Sequence, residues 1–157
     1  MEFGGCFLNK RLNRNNDGGT TRRTTDIFQL ATTVLFQNPV QNFALAPNNL
    51  KDVSPVCMDY MKKIPTTWDE ACFIDGYPGK YVVLARRHGG IWYVAAINAG
   101  KETLKLKLDL EMFAGKTVSL YKDDKKGEPQ LVPLKVKENG KVQLEILPQG
   151  GAVLVNK

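Results

Sequence analysis

The hydrophobic pattern changes period once along the chain. Ile27, Phe28, Leu30, Ala31, Val34 and Leu35 recur at helix spacing and form a broad apolar stripe. From about Thr67 onward the period shortens. Tyr81-Val82-Val83-Leu84-Ala85 and Ile91-Trp92-Tyr93-Val94-Ala95-Ala96-Ile97 are β-rich runs separated by a glycine-containing turn. Leu104-Lys105-Leu106-Lys107-Leu108-Asp109-Leu110 then alternates without a break. Strict alternation implies strands with one buried and one wet face, the pattern of an antiparallel sandwich rather than a barrel or a parallel sheet.

Local signals punctuate both regions. Asp26 and Gln29 resemble a capping pair, and Thr24 or Thr25 could serve equally as the cap. Asn38-Pro39 predicts the end of that helix, since proline disfavours helical geometry at the preceding residue. Ser54-Pro55 predicts a second start, with Val56, Cys57, Tyr60 and Met61 on its buried side. Further strands are expected at 117–121, 131–136, 142–147 and 152–155, giving about eight in all. At Glu138-Asn139-Gly140, a three-residue loop would set Val136 opposite Val142 and Leu134 opposite Leu144. We therefore expect a hairpin there, with Gly140 left-handed in a bulge.

With 157 residues and 43% apolar content, the chain fits one ordinary domain or a domain plus part of a neighbour. Its net charge of +6 is modest, and no dense Lys/Arg block marks a nucleic-acid tail. Residues 1–23 are polar and irregular. Lys10, Arg11, Arg14, Arg22 and Arg23 there suit either a solvated loop or one facing an anion or a sugar. No run approaches membrane-span length, and no leader opens the chain. Cys6, Cys57 and Cys72, with the single His88, match no structural zinc pattern. A Cys57–Cys72 disulfide and three buried thiols are the two readings of the cysteines.

Candidate chemistry is sparse. Trp68-Asp69-Glu70 sets two carboxylates beside an aromatic ring, but adjacent strand residues point to opposite faces and cannot flank one bond. The alternative has Trp68 in the core and both acids at a strand edge. Arg86-Arg87-His88 is expected at a hairpin tip, with His88 exposed and no serine or cysteine nearby to activate. Tyr77, Tyr81, Trp92 and Tyr93 could form a carbohydrate platform or belong to the core. Lys105 and Lys107 share a face with Asp109 and Glu111, which weakens any nucleic-acid reading. The Lys122–Glu128 run reads as a charged turn. No nucleophile, base and orienting partner come together, so no catalytic, cofactor-binding or metal-ligating residue is assigned.

A family resemblance adds to this. Arg23-Thr24-Thr25-Asp26, Gln29-Leu30-Ala31 and Gln37-Asn38-Pro39-Val40-Gln41-Asn42 are similar to the last barrel helix of glycoside hydrolase family 97. So are Ile64-Pro65-Thr66-Thr67-Trp68-Asp69-Glu70, Ala85-Arg86-Arg87 and Trp92-Tyr93-Val94. The family comprises α-glucosidases and α-galactosidases, often periplasmic. They have an N-terminal β-sandwich, a catalytic (β/α)8 barrel and a C-terminal β-sandwich linked to oligomer contacts. Met1-Glu2-Phe3-Gly4-Gly5 would match the end of the last barrel strand, where the family more commonly shows Met-Asp-Tyr-Thr-Pro-Gly. Glu2 gains no role from this beyond proximity to the sugar site.

The resemblance implies that residues 1–65 are the end of the barrel and 66–157 the C-terminal β-sandwich. The catalytic carboxylates and the calcium ligands would then lie upstream of Met1. The expected fold is mainly β, an antiparallel sandwich of about eight strands preceded by one or two α-helices left from the barrel. The expected role is to brace the barrel and contribute to a homo-oligomer, with carbohydrate met only through the full-length enzyme. Neither nucleic acid nor membrane is an expected partner, the resemblance implies a periplasmic or secreted location, and the isolated chain is expected to be inactive. The alternative is a carbohydrate-binding module using exposed aromatics.

Overall fold

The computed structural model describes residues 22–45 and 47–156, apart from the side chains at 48 and 49. Most of the basic N-terminal loop, Glu2 and Cys6 therefore lie outside the described residues. Helix α1 spans Asp26–Leu35 and α2 spans Pro55–Met61. Of the candidate caps, Thr25 takes the position: its Oγ1 accepts the Phe28 N–H at 3.1 Å. Asp26 lies in the first turn, where a negative charge suits the helix dipole. Ser54 caps α2 by accepting the Cys57 N–H at 3.3 Å, with Pro55 in the first turn. Helix α1 stops at Leu35, before Asn38-Pro39. Its last carbonyls are taken by Arg86, which donates to Leu35 O at 3.4 Å and Phe36 O at 3.3 Å.

Eight strands follow: β1 (Glu70–Tyr77), β2 (Tyr81–His88), β3 (Ile91–Asn98), β4 (Leu104–Asp109), β5 (Thr117–Asp123), β6 (Pro129–Lys135), β7 (Lys141–Ile146) and β8 (Gly151–Asn156). They form a six-stranded sheet ordered β1-β2-β3-β8-β5-β6 and a two-stranded ribbon of β4 and β7. Every pairing is antiparallel. The sandwich is thus markedly unequal in its layers.

The expected β6–β7 hairpin does not form. β6 pairs with β5, and β7 pairs with β4 through Leu104↔Ile146, Leu106↔Leu144 and Leu108↔Val142. Matching apolar faces are a necessary condition for pairing, and β4 satisfies it for β7 as well as β6 does. The turn closed by Gly140 N–H donating to Lys137 O at 2.9 Å carries the chain from one layer to the other. Gly140 is left-handed, as the sequence implies, with φ +70°. A Cβ there would also come within 3.1 Å of the Glu111 main chain.

The expectation of one wet face holds for the ribbon but not for the main sheet. β4 and β7 alternate buried and exposed positions along their length. The central strand β8 is buried at nearly every position, and β3 at four successive positions, Tyr93–Ala96, because the main sheet is covered on both sides. On the ribbon side, the cross-strand row Cys72–Ala85–Val94–Leu154–Leu120–Val132 packs under β4, β7 and Phe113. On the other side, Ala95, Val153 and Tyr121 meet Ile27, Leu30, Ala31 and Val34 of α1 and Cys57 and Tyr60 of α2. Helix α1 can lie this close because of Gly151, where a Cβ would come within 2.8 Å of Ile27 O. Cys57 and Cys72 lie in cores on opposite faces of the sheet and both are free thiols, so they do not pair. Burial pushes the Cys57 thiol up to about 12.

Candidate functional site

Of the residues singled out in the sequence, Trp68, Asp69, Glu70 and Arg86 line one groove of about 410 Å³ beside the C-terminal end of α1. Gln37, Asn38 and Pro39 form one wall, Thr66 to Ala71 another, and Arg86 lies between them. Trp68 is half-buried there, edge-on to Tyr93 at 5.3 Å, with the Arg86 guanidinium carbon 5.8 Å from its ring. Arg86 is only 5% exposed, and burial lowers its pKa. Its two bonds to the α1 carbonyls place the cation at the negative end of the helix dipole.

Asp69 and Glu70 lie at the start of the edge strand β1, as one reading of the sequence has it, and come together because the strand is irregular there. Asp69 precedes the first residue of β1 and escapes the pleat. Between the two acids stands Arg87, 3.5 Å from Asp69 Oδ2 and 3.2 Å from Glu70 Oε2. Asp69 also accepts the Gly89 N–H at 2.7 Å. The guanidinium occupies the space a glycosidic bond would need, so the pair fastens the start of β1 to the β2–β3 turn. His88 is exposed, as expected, with Nδ1 at 2.9 Å from Thr67 O.

The aromatic residues divide between the two cores. Trp68 and Tyr93 lie on the helix side, and Tyr81 and Trp92 pack on the ribbon side. They therefore offer no shared stacking platform. Among the described residues the well-exposed rings are Phe36, just after α1, and Phe73 and Tyr77 of β1. A second, larger groove of about 610 Å³ is floored by Leu108, Leu134 and Val142 and rimmed by Lys107, Lys135, Lys137 and Lys141.

Asp123, which sequence reasoning placed in a charged turn, is instead a buried carboxylate. It accepts from Thr25 Oγ1 at 2.8 Å and from Gly151 N–H at 3.2 Å. Burial raises its pKa to about 6, although both hydrogen bonds work in the opposite direction. Thr25 thus caps α1 and ties it to β5 through one hydroxyl. No pattern in the Lys122–Glu128 run distinguishes Asp123, whose carboxylate turns inward, from its neighbour Asp124, which accepts from the Lys126 and Glu128 main chain.

Three donors near the first groove, Asn38 Nδ2, Trp68 Nε1 and Arg86 Nε, are buried without an acceptor among the described residues. Each such group costs roughly 1–3 kcal/mol. No group of three or more His, Cys, Asp or Glu able to hold a metal ion occurs among the described residues. The acids present form no calcium ligand set there: Asp69 and Glu70 are engaged by Arg87, and Asp123, whose Oδ2 accepts from Thr25 and Gly151, belongs to no such group. No helix among the described residues is long and apolar enough to cross a membrane.

Fold and site together define a β-sandwich domain with a helical cover and no assembled catalytic constellation among the described residues. Residues 67–156 match the family model described as glycosyl-hydrolase 97 C-terminal, oligomerisation, and the chain belongs to that family. It is 30% identical over 133 residues to a retaining α-galactosidase of Bacteroides thetaiotaomicron, covering 80% of this chain and 20% of that protein. A solved structure of a β-arabinopyranosidase is 83% identical, with TM-score 0.95, over 99% of this chain and 25% of that one. A family 97 enzyme of Pseudoalteromonas sp. strain K8, solved with acarbose, shares the fold at 23% identity and TM-score 0.77, over 96% of this chain and 25% of that one. The chain thus spans about a fifth to a quarter of these three proteins.

Proposed function

We propose that this chain is the non-catalytic C-terminal part of a family 97 glycosidase, bracing the catalytic barrel and contributing to subunit contacts. The observation that carries this reading is the 83% identity over 99% of the chain to one quarter of a β-arabinopyranosidase. Residues 1–65 are then the end of the barrel and 66–157 the sandwich. Helix α1, outside the matched 67–156, is the last barrel helix, clasped by Asp123 and Arg86. The donors without acceptors and the exposed Phe36, Val40 and Leu50 at this junction support an upstream neighbour on the helix side.

The relatives also narrow the glycoside. β-L-Arabinopyranose has the ring configuration of α-D-galactopyranose without the C6 hydroxymethyl, so an arabinopyranosidase and an α-galactosidase act on one stereochemical class. We assign the full-length enzyme to that class rather than to α-glucosides. The two carboxyl groups that hydrolysis requires lie upstream, and calcium, where the enzyme uses it, is held there. A periplasmic or secreted location belongs to the same reading. The test is the chain alone with activated β-L-arabinopyranoside and α-D-galactopyranoside. No release above a heat-denatured control is expected; turnover would overturn the reading.

A further inference from the structure

On the helix side, one cross-strand row crosses the whole main sheet: Phe73–Leu84–Ala95–Val153–Tyr121–Leu131. Its middle is buried, whereas both ends are open, Phe73 at 68% and Leu131 at 46% exposure. These ends differ in what they offer another strand. Near β6, Val136 N–H donates to Lys116 O at 2.9 Å. Alternation from that bond turns the main chain of Leu131, Pro133 and Lys135 away from β5. Pro133 has no N–H, so this edge cannot complete a ladder with a further strand.

At β1 no strand among the described residues pairs with the outer edge. The two-residue Gly89-Gly90 turn makes His88 and Ile91 a hydrogen-bonded pair, and alternation across β2 turns the main chain of Ala71 and Phe73 outward. β1 contains neither proline nor lysine, and a register shift between Phe73 and Asp75 is its one irregularity. Beside Phe73 lie Leu84 and Val82, both half-buried, which extend the apolar strip inward. The family match begins at residue 67, so it includes β1 and excludes both helices, and its description is oligomerisation.

We propose that a second copy of this chain covers the β1 end of the sheet. The two β1 edges meet about a two-fold axis, with Phe73 packed on its counterpart and the main chains of Ala71 and Phe73 paired across the contact. A two-fold axis lets one self-complementary patch serve both partners. The contact names the surface used by the oligomer-forming part proposed above, and so rests on that reading.

Sedimentation of the full chain from micromolar to near-millimolar concentration tests this. A reversible dimer is expected, weakened about a hundredfold by Phe73→Glu, as for a central hot spot, and unaffected by Leu131→Glu at the opposite edge. Amide exchange supplies the second readout. The Ala71 and Phe73 amides gain protection with concentration in the wild type and not in Phe73→Glu, while β5 and β8 stay protected in both. A wild type that is monomeric throughout, or a dimer indifferent to Phe73→Glu, overturns the proposal. Monomeric wild type would assign Phe73 to the upstream part of the enzyme instead. Monomeric chain that releases no sugar overturns this inference alone, whereas a Phe73-dependent dimer that releases sugar overturns the functional reading alone.

Discussion

The two faces of the six-stranded sheet are closed to different degrees. On the ribbon side the chain's own strands complete the cover, and Phe113, Leu110 and Ile146 are essentially fully buried. On the helix side the cover is drawn largely from residues before 67, and its rim keeps exposed Phe36, Val40 and Leu50 together with three buried donors lacking acceptors. A core closed from within specifies the fold. On the reading proposed above, a core closed by helices outside the matched family region is where the sandwich meets the barrel.

The largest expected effect breaks the ribbon side. Phe113→Ala leaves a cavity in the closed core and should cost about 3–5 kcal/mol, with every amide probe losing protection together in denaturant. Leu30→Ala should cost about 2–4 kcal/mol but act more locally, exposing α1 amides while β3, β5 and β8 remain protected. Uniform loss of protection in both variants would erase the distinction between the faces.

Asp123 sharpens the comparison through pH. Its pKa is raised from 3.8 to about 6, so the folded chain holds the proton more tightly than the unfolded one. Its contribution to stability is therefore greatest below about pH 4 and declines as pH rises through about 6. Asp123→Asn, which resembles the protonated acid, should remove that slope, gaining on the order of 3 kcal/mol on the wild type between those limits. Denaturant titrations at several pH values measure it, and parallel curves would contradict the assignment. The smallest effect is at the cap. Thr25→Ala should cost roughly 1 kcal/mol and fray the first turn of α1, read by exchange at Phe28.

Much of this architecture is legible in the sequence because the signals are local. Ser54-Pro55 starts a helix where a cap and a first-turn proline coincide, and Gly140 is left-handed because the turn demands it. The illegible features depend on pairing at a distance. β7 had two strands able to match its apolar face, and nothing local favoured β4 over β6. Asp69 and Glu70 meet because the pleat begins one residue later than the pattern suggests, and Arg87, a neighbour only across the strand, then holds both. The burial of Asp123 is set by α1 folding back on β5, a contact between residues 98 apart.

The most direct test joins this chain to the rest of the 83%-identical β-arabinopyranosidase, in place of the quarter it matches. The chimera should hydrolyse an activated β-L-arabinopyranoside within a fewfold of the intact enzyme, while the enzyme lacking that quarter loses most of its activity. A folded but inactive chimera, or a truncated enzyme that works as well without the quarter, would contradict a bracing role for this chain.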